Sequence, residues 1–517
     1  MKDHILFKKE LQDYVNHNLL KELYQYIEEN MGSFFATPYL SEYYQLLKEI
    51  EVTDADKMLP KLILGFLAFL CGDNKKLYSI LNCVDESKLL TDREHSLYYS
   101  LKALMGFTLG HKEEYHYAKL SIEVLSKEDD SIFMANAKLT YAQILSSMQQ
   151  YRGAAEMFDE AYRRFSNLDI QFSAAVALVN KLLNLYKLGE LQSVMEECSQ
   201  ALIRSASFKD EYQEYWHVIY LPFGMCCYEL NKLSLATCYL EKAKNCIDQL
   251  KLFHMHGQVE LYLFKAYFIM NDRASMESIT KQTAEDFKNM HYSTAEMMIS
   301  MFRILSNEAG NQQKVQPDIE RFELEYIKDS TKSRFFLIEM LAYLRILGLS
   351  NVITTSDIAD YLQKLRYIGF IPYIQLFLIL LAELHDMEGQ NKNAVECLKE
   401  AEMIYREFGM CISFYMLPLK SLRLLQRINH QLYDAIMQNN RKGIKTKKSF
   451  ILSVREREII QLIAAGKSNE EIGNALFISI GTVKWHINHI FAKLEAENRI
   501  QAVQKAKMLG ELSEALT

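Results

Sequence analysis

The amino-acid sequence predicts an all-α protein: a long α-solenoid of repeated helix pairs followed by a small four-helix domain. Three observations lead to this prediction. The 517 residues contain only 6 Pro and 19 Gly, too few for the many turns of a strand-rich fold. Helix-breaking residues recur at a nearly constant interval before residue 440. Near the C terminus, four helix-start signals follow one another within about 60 residues.

The helix-breaking residues mark a repeat, because neighbouring markers are 38 to 42 residues apart. Similar sequences surround them, such as FTLGHKEEYHYAKLSIEVL at 107–125 and DMEGQNKNAVECLKEAEMI at 386–404. This period predicts about ten helix pairs over residues 1–438, which bury their apolar stripes by stacking. The markers are Gly32, Gly72, Gly110, Gln150, Gly189, Asn231, Asn271, Gly310, Gly348, Gly389 and Asn429.

A small residue recurs where the two helices of a pair must approach closely. The repeats resemble tetratricopeptide-type repeats, lengthened from the usual ~34 residues toward ~40. The resemblance implies a superhelix whose concave groove takes a peptide, a protein or a small molecule. The aromatic stretches 212–223 and 262–270 either line this groove or pack between helices. The recurring small residues are Ala118, Ala161, Ala201, Ala243 and Ala401.

Composition indicates a folded, cytoplasmic protein, with 49% hydrophobic and 24% charged residues. The N terminus lacks the apolar core of a secretory signal, and no apolar run reaches the ~18 residues of a membrane span. The runs at 62–71 and 374–384 are shorter and predict buried helix faces. Nine scattered cysteines without a CxxC pair predict reduced thiols that act as small core residues.

Charge is distributed unevenly along the chain. Residues 441–517 hold 13 basic and 8 acidic residues, a net charge of +5, whereas residues 1–440 carry a net charge of −12. A basic piece on an acidic body suits a nucleic-acid-binding domain, although chance variation in surface charge is an equal alternative. Between the two, the basic stretch 439–449 predicts a flexible linker that either contacts phosphates or only solubilises the chain.

Residues 450–514 carry start signals for four helices. The capping boxes Ser453–Glu456 and Ser468–Glu471 open the first two helices, and Gly466 ends the first. Ser479 caps the third helix, and the stretch from Asn498 opens the fourth, which runs over 499–509. Four such signals predict a small independent domain.

The same residues resemble the LuxR-type helix-turn-helix domain of bacterial transcription regulators. The matching segments are L-S-x-R-E-R-E-I at 452–459, G-K-S-N-E-E-I at 466–472, L-F-I-S-x-G-T-V-K-x-H-I at 476–487 and K-L-x-A-x-N-R-x-Q-A-V at 493–503. The chain departs from the family pattern at Gly473, where alanine is usual, and at the bulky Trp485. With its repeats, the chain resembles regulators of the MalT type without their NTPase domain, since no Walker motif is present.

The resemblance implies that the third helix is the DNA-recognition helix. Val483, Ile487, Ile490 and Leu494 share one face and predict its buried stripe. In this geometry the N-terminal part of the helix enters the major groove of double-stranded DNA. The predicted DNA-binding residues are Lys467, Asn469, Ser479, Thr482, Lys484, Trp485, Asn488 and His489.

Individual roles follow from side-chain chemistry. Lys484 reaches guanine or a phosphate, Asn488 pairs with adenine or a phosphate, and Trp485 contacts a thymine methyl group or packs on a neighbouring domain. Thr482 and the helix N terminus suit a phosphate. Lys467 and Asn469, at the start of the preceding helix, are predicted to set register on the DNA backbone.

The last helix matches the dimerisation helix of the family. Val503, Ala506 and Met508 are therefore candidates for a two-fold contact on DNA, with closure of the domain core as the alternative. The resemblance further implies RNA polymerase as a partner, a homodimer on DNA, and an effector in the repeat groove.

Two functions remain from different classes. The sequence favours a sequence-specific transcription regulator whose array is a sensor or docking arm; the alternative is a protein-interaction scaffold with a vestigial DNA-binding domain. An enzyme is not predicted, because no HExxH, GxSxG or paired Cys/His cluster occurs. No cofactor and no metal are predicted.

Overall fold

The structure is a computed structural model, and the regular elements among its described residues are helices, with no strand among them. The all-α prediction is confirmed. The described residues are 2–17, 19–30, 34, 39–49, 58–109, 113–126, 131–205, 208, 214–250, 252, 255–286, 293–306, 312–328, 335–416, 419–442, 454–476, 478–494, 496 and 498–508.

The repeat array contains helices joined mostly by short turns, so that successive helices pack side by side. Their bounds are α1 Lys2–Asn16, α2 Leu20–Glu29, α3 Leu40–Leu47, α4 Met58–Leu70, α5 Asn74–Cys83, α6 Asp92–Leu109, α7 Glu114–Glu123, α8 Ile132–Ser147, α9 Tyr151–Asn167, α10 Gln171–Lys187, α11 Leu191–Ser205, α12 Tyr220–Glu229, α13 Leu233–Gln249, α14 His256–Ile269, α15 Arg273–Asp286, α16 Ser293–Ser306, α17 Gln312–Lys328, α18 Phe335–Ile346, α19 Thr355–Ile368, α20 Ile371–Met387, α21 Asn391–Phe408, α22 Leu419–Ile428 and α23 His430–Lys442.

The turn inside a repeat uses one backbone motif. At Gly189, φ is 82° and the N–H donates to the carbonyl of Tyr186 at 3.0 Å, while the next N–H, of Glu190, donates to the carbonyl of Leu185 at 3.1 Å. This Schellman ending requires a left-handed residue, which favours Gly and Asn. Left-handed residues occupy the corresponding turns at Gly72, Gln149, Gly189, Asn231, Asn271, Gly348 and Gly389.

The predicted markers agree with these turns with few exceptions. The prediction of Gln150 is wrong by one residue, because Gln149 is the left-handed residue, with φ of 65°. Asn429 instead caps α23, since its Oδ1 accepts the N–H of Leu432 at 2.9 Å. Gly32, Gly110 and Gly310 lie outside the described residues.

Close approach of the paired helices is also confirmed. The five recurring alanines, at 118, 161, 201, 243 and 401, are all 0% exposed. The apolar runs at 62–71 and 374–384 lie mainly in α4 and α20, whose residues are mostly buried. Within the described chain, no helix combines the length and the hydropathy needed to cross a bilayer.

The array closes on itself, a feature that the repeat period does not predict. The rings of Tyr151 and Phe370 meet edge to face at a centroid distance of 5.8 Å. The N–H of Cys411 donates to the carbonyl of Glu229 at 3.0 Å. Helices about five repeats apart are therefore in direct contact.

The approach at Gly189 is the tightest of these contacts. A Cβ placed on this residue would lie 3.0 Å from Cδ1 of Phe408 and 3.2 Å from Cβ of Ile371. We call the set of contacts that joins residues 151, 188–189 and 229–230 to residues 369–371 and 408–411 the seam.

Several aromatic side chains pack in the interior of the array. Trp216 is 3% exposed, Phe264 is 0% exposed and Tyr262 is 7% exposed, so core packing is the correct alternative for these members of the two aromatic stretches. Phe223, Tyr267 and Phe268 of the same stretches are half-buried, and for them both alternatives stay predictions.

The C-terminal domain contains the four predicted helices around a core of its own. The last array helix runs to Lys442, so residues 439–442 of the predicted linker are helical, and residues 443–449 lie outside the described part. The domain helices are α24 Val454–Ala464, α25 Asn469–Leu476, α26 Ile480–Leu494 and α27 Arg499–Met508.

Candidate DNA-binding surface

Helix α25 begins with the predicted capping box. The N–H of Ser468 donates to the Glu471 carboxylate at 2.8 Å, and the N–H of Glu471 donates to Oγ of Ser468 at 3.2 Å. The backbone N–H of Ser468, helped by the Lys467 ammonium, lowers the pKa of Glu471 to about 2. The carboxylate therefore stays ionised and fixes the start of this helix.

The turn between α25 and α26 depends on a residue without a side chain. The N–H of Ile478 donates to the carbonyl of Gly473 at 3.0 Å. A Cβ on Gly473 would lie 2.9 Å from the carbonyl oxygen of Ile478, closer than such atoms normally approach. Glycine at position 473, where alanine is usual, therefore allows the carbonyl of Ile478 to approach the helix more closely than a Cβ would permit.

Helix α26 is held by its buried face. Val483 and Ile490 are 0% exposed, Leu494 is 4% exposed and Ile487 is 6% exposed, so the predicted stripe is confirmed. The helix starts at the predicted cap, where the N–H of Thr482 donates to Oγ of Ser479 at 3.1 Å.

The opposite face of α26 is open to solvent. Ser479, Thr482, Lys484 and Asn488 are exposed. They combine an ammonium, a carboxamide and hydroxyl groups between the N terminus and the middle of one helix, and the N terminus also carries a partial positive charge from the backbone dipoles. Such a surface can donate hydrogen bonds to phosphates and to base edges. The side chains of Trp485 and His489 lie outside the described part of the structure.

The two predicted register residues differ in their surroundings. Lys467 is exposed, with its Nζ 3.1 Å from Oε1 of Glu471. Asn469 is half-buried, and its Oδ1 accepts a hydrogen bond from the Arg499 guanidinium.

Two arginines that are not among the predicted functional residues hold the helices of the domain together. Besides its bond to Asn469, Arg499 donates to the carbonyl of Lys467 at 3.1 Å, which ties α27 to the start of α25. Arg455 donates to the carbonyl of Leu476 at 2.5 Å, which ties α24 to the end of α25. Both arginines lie in the sequence segments that match the LuxR-type pattern, and this match is the sequence feature that could have identified them.

The candidate dimerisation residues separate into different environments. Ala506 is 0% exposed and belongs to the domain core, which favours core closure, the alternative predicted for it. Val503 is half-buried, and the side chain of Met508 lies outside the described residues. Ile500, which is not among the predicted residues, is 74% exposed on the same helix.

Comparison with known proteins identifies the type of this domain. Residues 451–506 match the family model described as bacterial regulatory proteins, luxR family. The protein YhjB of Escherichia coli K12 is 56% identical over 61 residues, which are 12% of this chain and 30% of YhjB. The transcriptional regulatory protein LiaR of Bacillus subtilis is 57% identical over 51 residues, which are 10% of this chain and 24% of LiaR.

The chain therefore spans less than a third of the length of either relative. Among solved structures, the crystal structure of a Rap protein complexed with competence and sporulation factor aligns with a TM-score of 0.42 at 13% identity, covering 79% of this chain and 99% of that chain. The C-terminal domain is a LuxR-type helix-turn-helix domain.

Proposed function

We propose that this protein is a sequence-specific DNA-binding transcription regulator whose helical array controls its C-terminal domain. The observation that carries the proposal is the two-sided character of α26. Its buried stripe fixes the helix in the domain, while Thr482, Lys484 and Asn488 are exposed between its N terminus and its middle. This is the side of a recognition helix that enters the major groove.

The residues divide into two roles at the interface. Lys484 and Asn488 contact base edges, and Trp485 and His489, on the same helix, belong to the same predicted set. Lys467, Asn469, Ser479 and Thr482 contact phosphates and set the register, because helix N termini and their caps suit anions.

Dimerisation on DNA uses the outer face of α27. Ile500 is largely exposed and Val503 is half-buried, so together they offer an apolar strip for a second copy of the domain. A two-fold dimer predicts a palindromic target site. RNA polymerase is the further partner that we propose, because a regulator bound at a promoter acts through it.

Control by the array follows from chain order. The seam residues 408–411 precede α22 and α23, and these helices lead directly to the DNA-binding domain. Opening of the seam would move the end of the array that carries the domain. An effector that binds the open array more tightly than the closed one would thus change DNA binding.

Selection of binding sites from a random DNA pool with the full-length protein tests the proposal. We expect enrichment of a palindromic site, with affinity that falls steeply as salt rises. Lys484→Ala should cost about 1–3 kcal/mol of binding and relax the preference at one position in each half-site. The matched control is Lys399→Ala, which removes an exposed lysine of α21 and should leave binding unchanged.

Failure would have a distinct form. If no sequence is enriched and binding shows no salt dependence, the domain keeps its fold without its function. The protein would then be an interaction scaffold, and the binding properties of the array alone would describe it.

A further inference from the structure

The interior of the closed array contains two neighbouring hydrogen-bonded groups, which together form a polar network. Tyr186 donates its hydroxyl hydrogen to Oε1 of Glu229 at 2.5 Å, and the hydroxyls of Tyr186 and Tyr262 are 2.6 Å apart. Lys265 donates to Oε1 of Glu339 at 2.7 Å. These groups come from α10, α12, α14 and α18, so the network spans the interior from several repeats.

The network contains more carboxyl groups than cations. Glu339 has two donors, since Tyr373 bonds to its Oε2 at 3.0 Å in addition to the bond from Lys265. Glu229 is 5% exposed, and the one ammonium that favours its ionised form, that of Lys265, is hydrogen-bonded to Glu339 instead. A buried carboxyl group whose nearest cation is already paired with another carboxyl group attracts a further positive charge.

The surroundings of this carboxyl group suit an ammonium ion. The hydroxyl of Tyr186 bonds to the carboxyl group, and the rings of Tyr186 and Tyr228 pack edge to face on that of Tyr262, at centroid distances of 6.2 Å and 5.4 Å. Aromatic rings attract cations. The chain already binds one ammonium in this way, because Nζ of Lys265 lies 5.7 Å from the centroid of the Tyr373 ring.

An apolar cavity adjoins the network. It has a volume of about 30 Å³, and Lys265 and Glu339 form its polar side. Met301, Met340 and Leu380 contribute to its apolar side. Its volume is that of about one water molecule, so a larger molecule enters only when the array opens.

We propose that the interior of the array is a binding site for a small ligand that carries a primary ammonium next to an apolar group, with the ammonium paired to Glu229 and the apolar group in the adjoining cavity. This inference rests on the regulatory role proposed above, since it names the class of effector. Glu229 also belongs to the seam through its carbonyl, which accepts the N–H of Cys411. Occupation of the site is therefore coupled to the contact that closes the array.

Binding at this site is linked to proton release. Burial raises the pKa of Glu229 to about 7, against the opposing effect of the hydrogen bond from Tyr186. An ammonium beside this carboxyl group favours its ionised form, so the complex holds fewer protons and forms more readily as pH rises through 7. The titratable groups that face Glu229 are Tyr186 of α10, Cys226 and Tyr228 of α12, Tyr262 and Lys265 of α14, Glu339 of α18, Tyr373 of α20 and Cys411 after α21.

Isothermal titration of the full-length protein with phenethylamine tests the site without DNA. We expect saturable binding of one molecule per chain, about tenfold tighter at pH 8 than at pH 6, the factor for release of one proton from a group with a pKa near 7. 2-Phenylethanol, which lacks the ammonium, should not bind. Trileucine with a free or an acetylated amino terminus separates a peptide amino terminus from a free small amine as the natural source.

The variants distinguish this site from general effects. Glu229→Gln should weaken phenethylamine binding at least tenfold and remove its pH dependence. Glu260→Gln is the matched control: Glu260 is 0% exposed and burial raises its pKa to about 7, but it is paired with Lys244 at 2.9 Å, apart from this network. Tyr186→Phe should shift the pH dependence upward, because it removes a hydrogen bond that stabilises the ionised form.

Each result decides one proposal. Absence of saturable binding by every amine, or equal binding by wild type and Glu229→Gln with both proteins folded by circular dichroism, overturns the site. If amines bind through Glu229 while selected DNA is bound equally with and without them, the site stands and control of the domain by the array fails. If amines bind but no DNA sequence is selected, the DNA-binding proposal alone fails.

Discussion

Closure of the array can be tested by adding one methyl group at the seam. Gly189→Ala places a Cβ 3.0 Å from the Phe408 ring and 3.2 Å from Ile371 in a residue whose φ is 82°. The left-handed conformation costs an alanine about 1–2 kcal/mol. Overpacking at the seam adds about 1–3 kcal/mol. The total expected loss is about 2–5 kcal/mol.

Gly389→Ala is the matched control for the backbone cost. Gly389 has nearly the same φ, 76°, and ends the same type of turn, but nothing lies within 4 Å of the position of its Cβ. The difference between the two variants therefore isolates the seam contact. Changes in the unfolded chain are the same for both and cancel.

Hydrogen exchange is the primary assay, because repeat arrays open in parts rather than all at once. Gly189→Ala should speed exchange in both α10 and α21, although the two helices are about five repeats apart. Gly389→Ala should affect only its own turn and the neighbouring helices. Equal effects of the two variants, or faster exchange near residue 189 alone, would refute closure at the seam.

Three further predictions concern single residues. Gly473→Ala should destabilise the C-terminal domain by about 1–3 kcal/mol in thermal denaturation, because the added Cβ would contact the carbonyl oxygen of Ile478. If the variant instead gains about 1 kcal/mol, which is the helix-propensity benefit of alanine alone, the turn must relax to accept the Cβ. Ser468→Ala should cost about 1 kcal/mol through loss of the cap. The pKa of Glu471 should stay well below its ordinary value, because the backbone N–H of residue 468 remains as its main donor; a pKa in the ordinary range in an NMR titration would contradict this hydrogen-bond assignment. Because the pKa of Glu229 is raised, the array should lose about 3 kcal/mol of stability as pH rises from 4.5 to 7, since this carboxyl group ionises in that range only in the unfolded chain. Glu229→Gln should flatten this part of the plot of unfolding free energy against pH, measured by urea denaturation. An unchanged slope in the variant would show that another group takes up the proton.

Local signals in the sequence were sufficient for the domain and for the elements of the array. The stripe of α26 follows from a spacing of 3.6 residues per turn, and the caps at Ser468 and Ser479 follow from side chains that bond to the next turn. The recurring alanines predicted the close helix contacts because a small side chain at a fixed position in each repeat lets two helices approach. Each of these features depends on residues that are near in sequence.

Closure could not be predicted in this way. Tyr151 and Phe370 are in contact, yet no local pattern relates them. The repeat period of a solenoid predicts that neighbouring repeats stack, whereas the curvature of the solenoid depends on small rotations that accumulate over several repeats. The polar network was missed for the same reason, since Glu229 and Lys265 were single residues in different repeats. At Gln149 the error was local, because two adjacent glutamines gave no signal for the left-handed position.

The cost of burying Glu229 bears on how the array could act as a switch. At pH above 7, a carboxyl group whose pKa is raised from 4.5 to about 7 costs the closed form about 3 kcal/mol. Because of this cost, the free energies of the closed and open forms differ less than they would if apolar contacts at the seam were the only contribution. To change the closed fraction from 99% to 1%, a ligand must favour the open form by about 5.5 kcal/mol, a ratio of about 10⁴ in affinity. A closed cavity with room for about one water molecule excludes any larger ligand, so discrimination between the two forms at this site is set by size, while pairing with Glu229 supplies the affinity. A seam held only by apolar contacts would exclude ligands equally well but would offer them no charge to pair with on opening.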